Sequence, residues 1–265
     1  GVFSGMGLMK SAKLAPEAIL LPANFEAYRH YSLLFKAAVR AIAPKVEDRG
    51  IDEIYVDLSD NSEETRSLAQ RIKDAVFTAT GLSCSIGVTP NKLLSKIASD
   101  LEKPNGLTIL SLDDVPTRIW PLAAKKVNGI GPKASERLER HGIRTIGELA
   151  ATPQEFLIRK FGRSTGLWMH RIAHGIDDRP VVTESEPKSI SRETTFERDL
   201  HVRQDKPELS EKFTSLCLRV GDDLKRKGYA CRTIGIKIRY ADFSVVTRDV
   251  TLPVAISDGA EIRKS

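Results

Sequence analysis

Three features of the sequence predict an α+β chain of several domains. Residues 20–110 mix short runs rich in Ile and Val with amphipathic helical stretches. Residues 111–174 carry short helical patterns punctuated by Gly and Pro, with no strand signal. Beyond residue 188 the order strand, helix, strand, strand reappears. A chain of 265 residues has room for one to three domains at roughly 100–200 residues each. With 41% apolar and 29% charged residues it can build buried cores, which argues against wholesale disorder. No uncharged apolar run approaches the roughly 18 residues of a membrane helix, and Gly1 to Lys10 lack the layout of a signal peptide. Cys84, Cys217 and Cys231 are widely spaced and form no CxxC pair. That argues against a zinc site or disulfide framework and suits a reducing cytoplasm.

The elements follow in order. Asn24 can cap a helix carrying Phe25, Tyr28, Leu33, Leu34, Ala37, Ala38 and Ile42, which stops near Pro44. Ile51 to Leu58 has the β-branched and aromatic content of a strand, with Asp52 and Glu53 on opposite faces. Ser62 can cap the next helix, whose stripe is Leu68, Ile72, Ala75, Val76 and Ala79 and which Gly81 ends. Ser83–Val88 and Leu107–Leu110 are expected strands, with a helix over Pro90–Leu101 between them. Residues 175–188 are polar and Pro-containing and are expected to be a linker. Lys188–Leu200 alternates like a strand, Pro207–Lys227 is an amphipathic helix, and Cys231–Tyr240 and Ser244–Leu252 form two strands around a short turn. A further helix is expected near Ser257.

The net charge is +6, concentrated in residues 90–177, where 14 Lys/Arg face 9 Asp/Glu. A polyanion partner would be gripped there and in the last third rather than in the first. Asp52-Glu53 sets two carboxylates side by side, which is costly near apolar surface unless a cation neutralises them. Mg²⁺ suits such hard oxygen donors; a solvent-facing pair is the plain alternative. Lys92, Lys96, Ser99 and Lys103 recur at helical spacing, and Pro104-Asn105-Gly106 forces a turn directly after Lys103. That places an ammonium where a triphosphate could meet it, or simply makes a solvated lysine face. VNGIGPKASERLERHGIRTIGEL reads as a helix-hairpin-helix. Its Gly129 and Gly131 let the backbone near a phosphate, with Lys133 beside them. A protein-protein hairpin is the alternative. Lys188, Ser189, Ser191, Arg192 and Thr194, with Lys237 and Arg239 two apart on a later strand, could offer donors to a row of phosphates. An ordinary polar sheet face is the alternative.

The strings GVFSGM, IDEIYVDLS, CSIGVTPNKLLSKIASDLEKPNGL, VNGIGPKASERLERHGIRTIGEL and KSISRETTF, in this order, resemble the Y-family translesion DNA polymerases, specifically the DNA polymerase IV branch. The resemblance covers essentially the whole chain. It implies a right-hand architecture: partial fingers over 1–22, palm over 23–110, helix-hairpin-helix thumb over 111–175, a linker over 176–187, and an incomplete little finger over 188–265. It implies template-directed nucleotide addition past damaged bases with two Mg²⁺, on primer-template DNA and an incoming dNTP. A monomer without membrane contact is expected. Asp52 and Glu53 match the family's metal-binding carboxylates and Lys103 its triphosphate lysine. Ser4 and Gly5 match small residues near the replicating base pair. Gly129, Gly131 and Lys133 fall in the thumb's phosphate contact. The segment from Ser189 to Thr195 matches the little finger's strand along the template. The family's opening strand, with a third metal-binding Asp, and its final strand and sliding-clamp tail are absent from these 265 residues. Impaired catalysis by the chain alone is therefore expected, and a non-catalytic DNA-binding derivative is the alternative.

Overall fold

A computed structural model describes residues 1–265, which divide into two compact units, 1–184 and 185–265. In the first unit, helix α1 (Leu8–Leu14) buries none of its side chains. Helix α2 (Phe25–Ile42) starts at Asn24, whose side chain accepts the Ala27 N–H at 3.0 Å, and ends ahead of Pro44. Its buried face includes polar residues. Ser32, Lys36 and Val39 point inward, with Phe35 and Ile42 packed beside them, while Leu33 is exposed. Lys36 can sit on the inner face because it is satisfied there. Its Nζ reaches both Asp48 carboxylate oxygens and, at 2.6 Å, the Gly50 carbonyl.

The strand expected from Ile51 is shorter than predicted and has a partner that the sequence did not announce. β1 (Val46–Asp48) and β2 (Ile54–Val56) form an antiparallel hairpin in which Glu47 faces Tyr55. Asp52 and Glu53 belong to the connecting loop, not to the strand. The Arg49 N–H donates to the Glu53 carbonyl across the loop's neck, and Lys36 and Asp48 hold its Gly50. Helix α3 (Thr65–Thr80) is capped by Glu64, whose carboxylate takes the Arg66 and Ser67 N–H groups, rather than by Ser62. Gly81, at φ +70, closes it as expected.

Strands β3 (Ile86–Val88) and β4 (Leu107–Ile109) are parallel and joined through helix α4 (Lys92–Leu101). This is a crossover unit. Asn91 caps α4 by accepting the Leu94 N–H. Gly87 is required where α4 crosses β3, because a Cβ there would stand 2.4 Å from the Ser95 carbonyl oxygen.

Beyond β4 a single π-type turn (Val115–Ile119) and a 3-10 turn (Ala124–Lys126) lead into α5 (Pro132–Glu139), α6 (Ile146–Ala150), α7 (Gln154–Phe161) and α8 (Arg163–Ala173). Thr145 and Glu148 make a capping box on α6. These helices share one hydrophobic core with α4, running from Leu93, Leu94 and Ile97 through Leu138, Ile146 and Leu157 to Met169 and Ala173. A separate core joins α2, α3 and the β1–β2 hairpin through Val39, Val46, Leu68, Ile72 and Val76.

Residues 175–182 do not behave as a free linker. Asn91 donates to the Gly175 carbonyl, Asp177 accepts the Leu93 N–H, Lys92 donates to the Pro180 carbonyl, and the Val182 N–H donates to Glu47. The segment is tied across the start of α4 by contacts more than 80 residues apart in sequence, which a local reading of composition cannot register.

In the second unit, helix α9 (Lys206–Lys227) packs with the antiparallel hairpin β5 (Cys231–Arg239) and β6 (Val245–Ile256) and with α10 (Gly259–Lys264). Gly221 of α9 and Gly259 of α10 let the two backbones touch; a Cβ on Gly221 would lie 2.5 Å from the Gly259 nitrogen. Cys217, Leu224 and Ile262 centre the core, with Phe213, Val220, Ile234 and Ile190 around them. The strand expected over Lys188–Leu200 is not formed: no ladder hydrogen bonds hold this segment. Side chains tie it instead, through Ile190 in the core, Arg192 on Asp223 and Glu193 on Lys237.

Candidate functional site

The hairpin loop brings Glu53 to α4. Its carboxylate accepts from Lys96 Nζ at 2.7 Å, while Asp52, one residue away, is exposed and has no partner in the chain. Lys96 lies on α4, and Lys103 follows two residues after the helix's last residue, Leu101. Lys103, just beyond the end of α4, is exposed and pairs with Asp100 at 2.6 Å.

The other end of the lysine row is structural. Lys92 is buried on Glu47 at 2.6 Å. Burial would raise the Glu47 carboxyl, but the Lys92 ammonium and the Val182 N–H outweigh it and hold it below its usual value. Burial, with the Glu53 charge nearby, pushes the neighbouring Tyr55 phenol up.

No three His, Cys, Asp or Glu residues come together as a metal cluster. Asp52 and Glu53 therefore fit one hard cation shared with substrate phosphates, the usual way Mg²⁺ is bound. They do not by themselves supply the donors for two ions.

Ser4 and Gly5 sit in an exposed turn closed by the Met6 N–H on the Phe3 carbonyl, with Gly5 at φ +80. No hydrogen bond or ion pair joins them to Asp52, Glu53 or Lys103.

The two hairpin glycines have different roles. Gly129, at φ +107, lies against the Trp168 ring, where a Cβ would come within 2.8 Å. Gly131 has open space around it and ordinary φ of −76°. It precedes Pro132 at the start of α5, where no side chain caps the helix and the first N–H groups stay free to donate outward. Lys133 is exposed beside them. Lys125 and Lys126 in the preceding 3-10 turn are exposed as well. The sequence reading passed over both, although they stand directly before the Val-Asn-Gly-Ile-Gly run.

In the second unit, Lys237 and Arg239 share a strand face with Thr247 and Asp249 of β6 by register. This face is less basic than expected. Lys237 is engaged by Glu193, and Asp249 fills the space left by Gly235. Arg192 is likewise held by Asp223. Lys188, Ser189, Ser191 and Thr194 are exposed, and no backbone hydrogen bond occupies their N–H groups.

The profile of the impB/mucB/samB family matches residues 1–100, and that of its C-terminal domain matches residues 187–265. Residues 125–177 match the family described as DNA polymerase-iota, thumb domain. The DNA polymerase IV of Methanoculleus marisnigri is 40% identical over 267 residues, which span the whole of this chain and 73% of that protein. The chain belongs to the Y-family DNA polymerases, in the DNA polymerase IV branch. DNA polymerase IV 1 of Bacillus subtilis is 38% identical, over all of this chain and 64% of its own length. Among solved structures, a Y-family DNA polymerase chimera of Dbh and Dpo4 segments superposes with a TM-score of 0.83 at 25% identity, covering all of this chain and 76% of that one. The α+β polymerase fold and the helix-hairpin-helix thumb of the family are thus present. No helix is long and apolar enough to cross a membrane.

Proposed function

We propose that this chain carries the catalytic carboxylates and DNA grips of a polymerase that adds deoxynucleotides to a primer opposite a template, including past damaged bases. In the reaction the primer 3′-oxygen bonds to the α-phosphorus of the incoming dNTP, and the bond to pyrophosphate breaks. The observation that carries the reading is the Glu53–Lys96 pair, which ties the loop of Asp52 and Glu53 to α4, the helix that leads to Lys103. Asp52 and Glu53 would hold Mg²⁺, which when bound supplies charge neutralisation to the phosphates. Lys96 holds the Glu53 carboxylate in place; Lys103, exchanging Asp100 for the nucleotide, binds the triphosphate as a point charge. Ser4 and Gly5, small and exposed, leave room for the nascent base pair. Gly131, the free N–H groups of α5 and Lys133 take a phosphate of the duplex. Lys188, Ser189, Ser191, Arg192, Thr194, Lys237 and Arg239 meet template phosphates without reading bases. The donor set fits one ion better than two, so residues 1–265 alone extend primers slowly. Robust Mg²⁺-dependent synthesis by this chain would overturn that part.

The test is Asp52→Ala with Glu53→Ala in single-turnover primer extension with protein in excess. Extension is lost while duplex affinity is retained; unchanged extension removes the assignment. A DNA-binding role without chemistry is favoured by the incomplete donor set, and it predicts that the double substitution changes nothing.

A further inference from the structure

Lys73 is the buried cation that none of the roles above uses. It lies on the inner face of α3, 9% exposed, and no carboxylate is within ion-pair distance of it. Its Nζ is enclosed by four oxygens: the Cys84 carbonyl at 2.8 Å, the Asn105 carbonyl at 2.7 Å, the Asn105 side-chain Oδ1 at 2.8 Å and the Gly106 carbonyl at 3.2 Å. Taking an ammonium out of water without an anion is costly, and a methionine would fill the same volume without that cost. The cage therefore has to do something that packing alone does not. Three of its four acceptors belong to residues 105 and 106, two and three positions after Lys103. Asn105 sits at φ +59, and Gly106 is pressed on the end of α4, where a Cβ would come 2.3 Å from the Glu102 carbonyl oxygen. The segment carrying Lys103 is thus fixed from below by Lys73, while the Lys103 side chain itself stays exposed.

We propose that Lys73 is a positioning residue for nucleotide binding: it holds the Pro104-Asn105-Gly106 turn so that Lys103 presents its ammonium to the triphosphate. This rests on the reading of Lys103 given above, and the experiment separates the two. The readout is the Kd of the templated dNTP on a dideoxy-terminated primer-template, where no chemistry follows, measured for Lys73→Met, Lys103→Ala and the double variant. Lys73→Met weakens dNTP binding on the order of 10-fold, as a small misplacement of a binding group does, and leaves primer-template affinity unchanged. In the Lys103→Ala background it has no further effect. Should Lys73→Met weaken binding equally in both backgrounds, its role is general support of the fold and the proposal fails. If Lys103→Ala weakens binding and Lys73→Met does not, this inference alone falls; if Lys103→Ala changes nothing, the Lys103 reading falls and takes this with it. Asn105→Gly, which keeps the left-handed backbone and removes one acceptor, carries the same test if Lys73→Met does not fold. Its loss of dNTP affinity must also vanish in the Lys103→Ala background.

Discussion

Replacing Gly129 and Gly131 by alanine, one at a time, separates two roles that the hairpin sequence presents as one. At Gly129 the new methyl meets Trp168 at 2.8–2.9 Å, and φ is +107°. Backbone strain of about 1–3 kcal/mol and overpacking of about 1–3 kcal/mol partly relieve each other when the ring shifts. A net loss of about 2–4 kcal/mol is expected. At Gly131 the methyl meets nothing within 4 Å and φ is −76°, so stability should stay within about 0.5 kcal/mol. The same methyl, however, stands at the open start of α5 and should lower duplex affinity several-fold. Both tryptophans, Trp120 and Trp168, lie in the first unit. Urea unfolding followed by tryptophan emission therefore reports that unit alone, and fluorescence anisotropy with labelled duplex reads binding. Equal destabilisation by both substitutions, or none by Gly129→Ala, would refute the division of roles.

Two more outcomes follow from the ion pairs. Glu47→Gln should cost about 3 kcal/mol at neutral pH, because it leaves Lys92 buried without its counter-charge. Since the Glu47 carboxyl is held below its ordinary 4.5 in the folded state, its contribution is present above that pH and disappears as pH falls through the folded value. The wild-type and Glu47→Gln unfolding curves should therefore converge in acid, and curves that stay parallel would contradict the pairing. Duplex affinity should fall steeply with salt. Lys133→Ala should reduce the log–log salt slope by about 1, while Lys237→Ala and Arg192→Ala reduce it less, because each already has an acidic partner. Equal slopes for all three variants would show that those partners do not persist in solution.

What was legible in the sequence is what short-range chemistry writes. Asn24 and Gly81 marked helix ends because caps act within one turn, and Gly87 and Gly106 fell in the run that closely resembles the family. Lys103 and the acidic couple were visible as residues, but the contact of Glu53 with α4 was not. Lys96 meets Glu53 across 43 positions, and periodicity carries no information at that range. The inner face of α2 was not legible, because Lys36 looks like a surface residue until Asp48 and Gly50 arrive from the next hairpin. The expected strand after Lys188 failed for a related reason: alternation of side chains was there, but no neighbouring backbone pairs with it.

Within the first unit, Asp52 and Glu53 ride on the core of α2, α3 and the β1–β2 hairpin, whereas α4, leading to Lys103, rides on the other. Lysines rivet the boundary: Lys92 on Glu47, Lys96 on Glu53, and Lys73 reaching the turn after α4. A nucleotide reaching from the acidic couple to Lys103 would act as one more rivet between the two cores. Nucleotide binding and cohesion between the two cores would then draw on the same contacts, so that loosening one loosens the other.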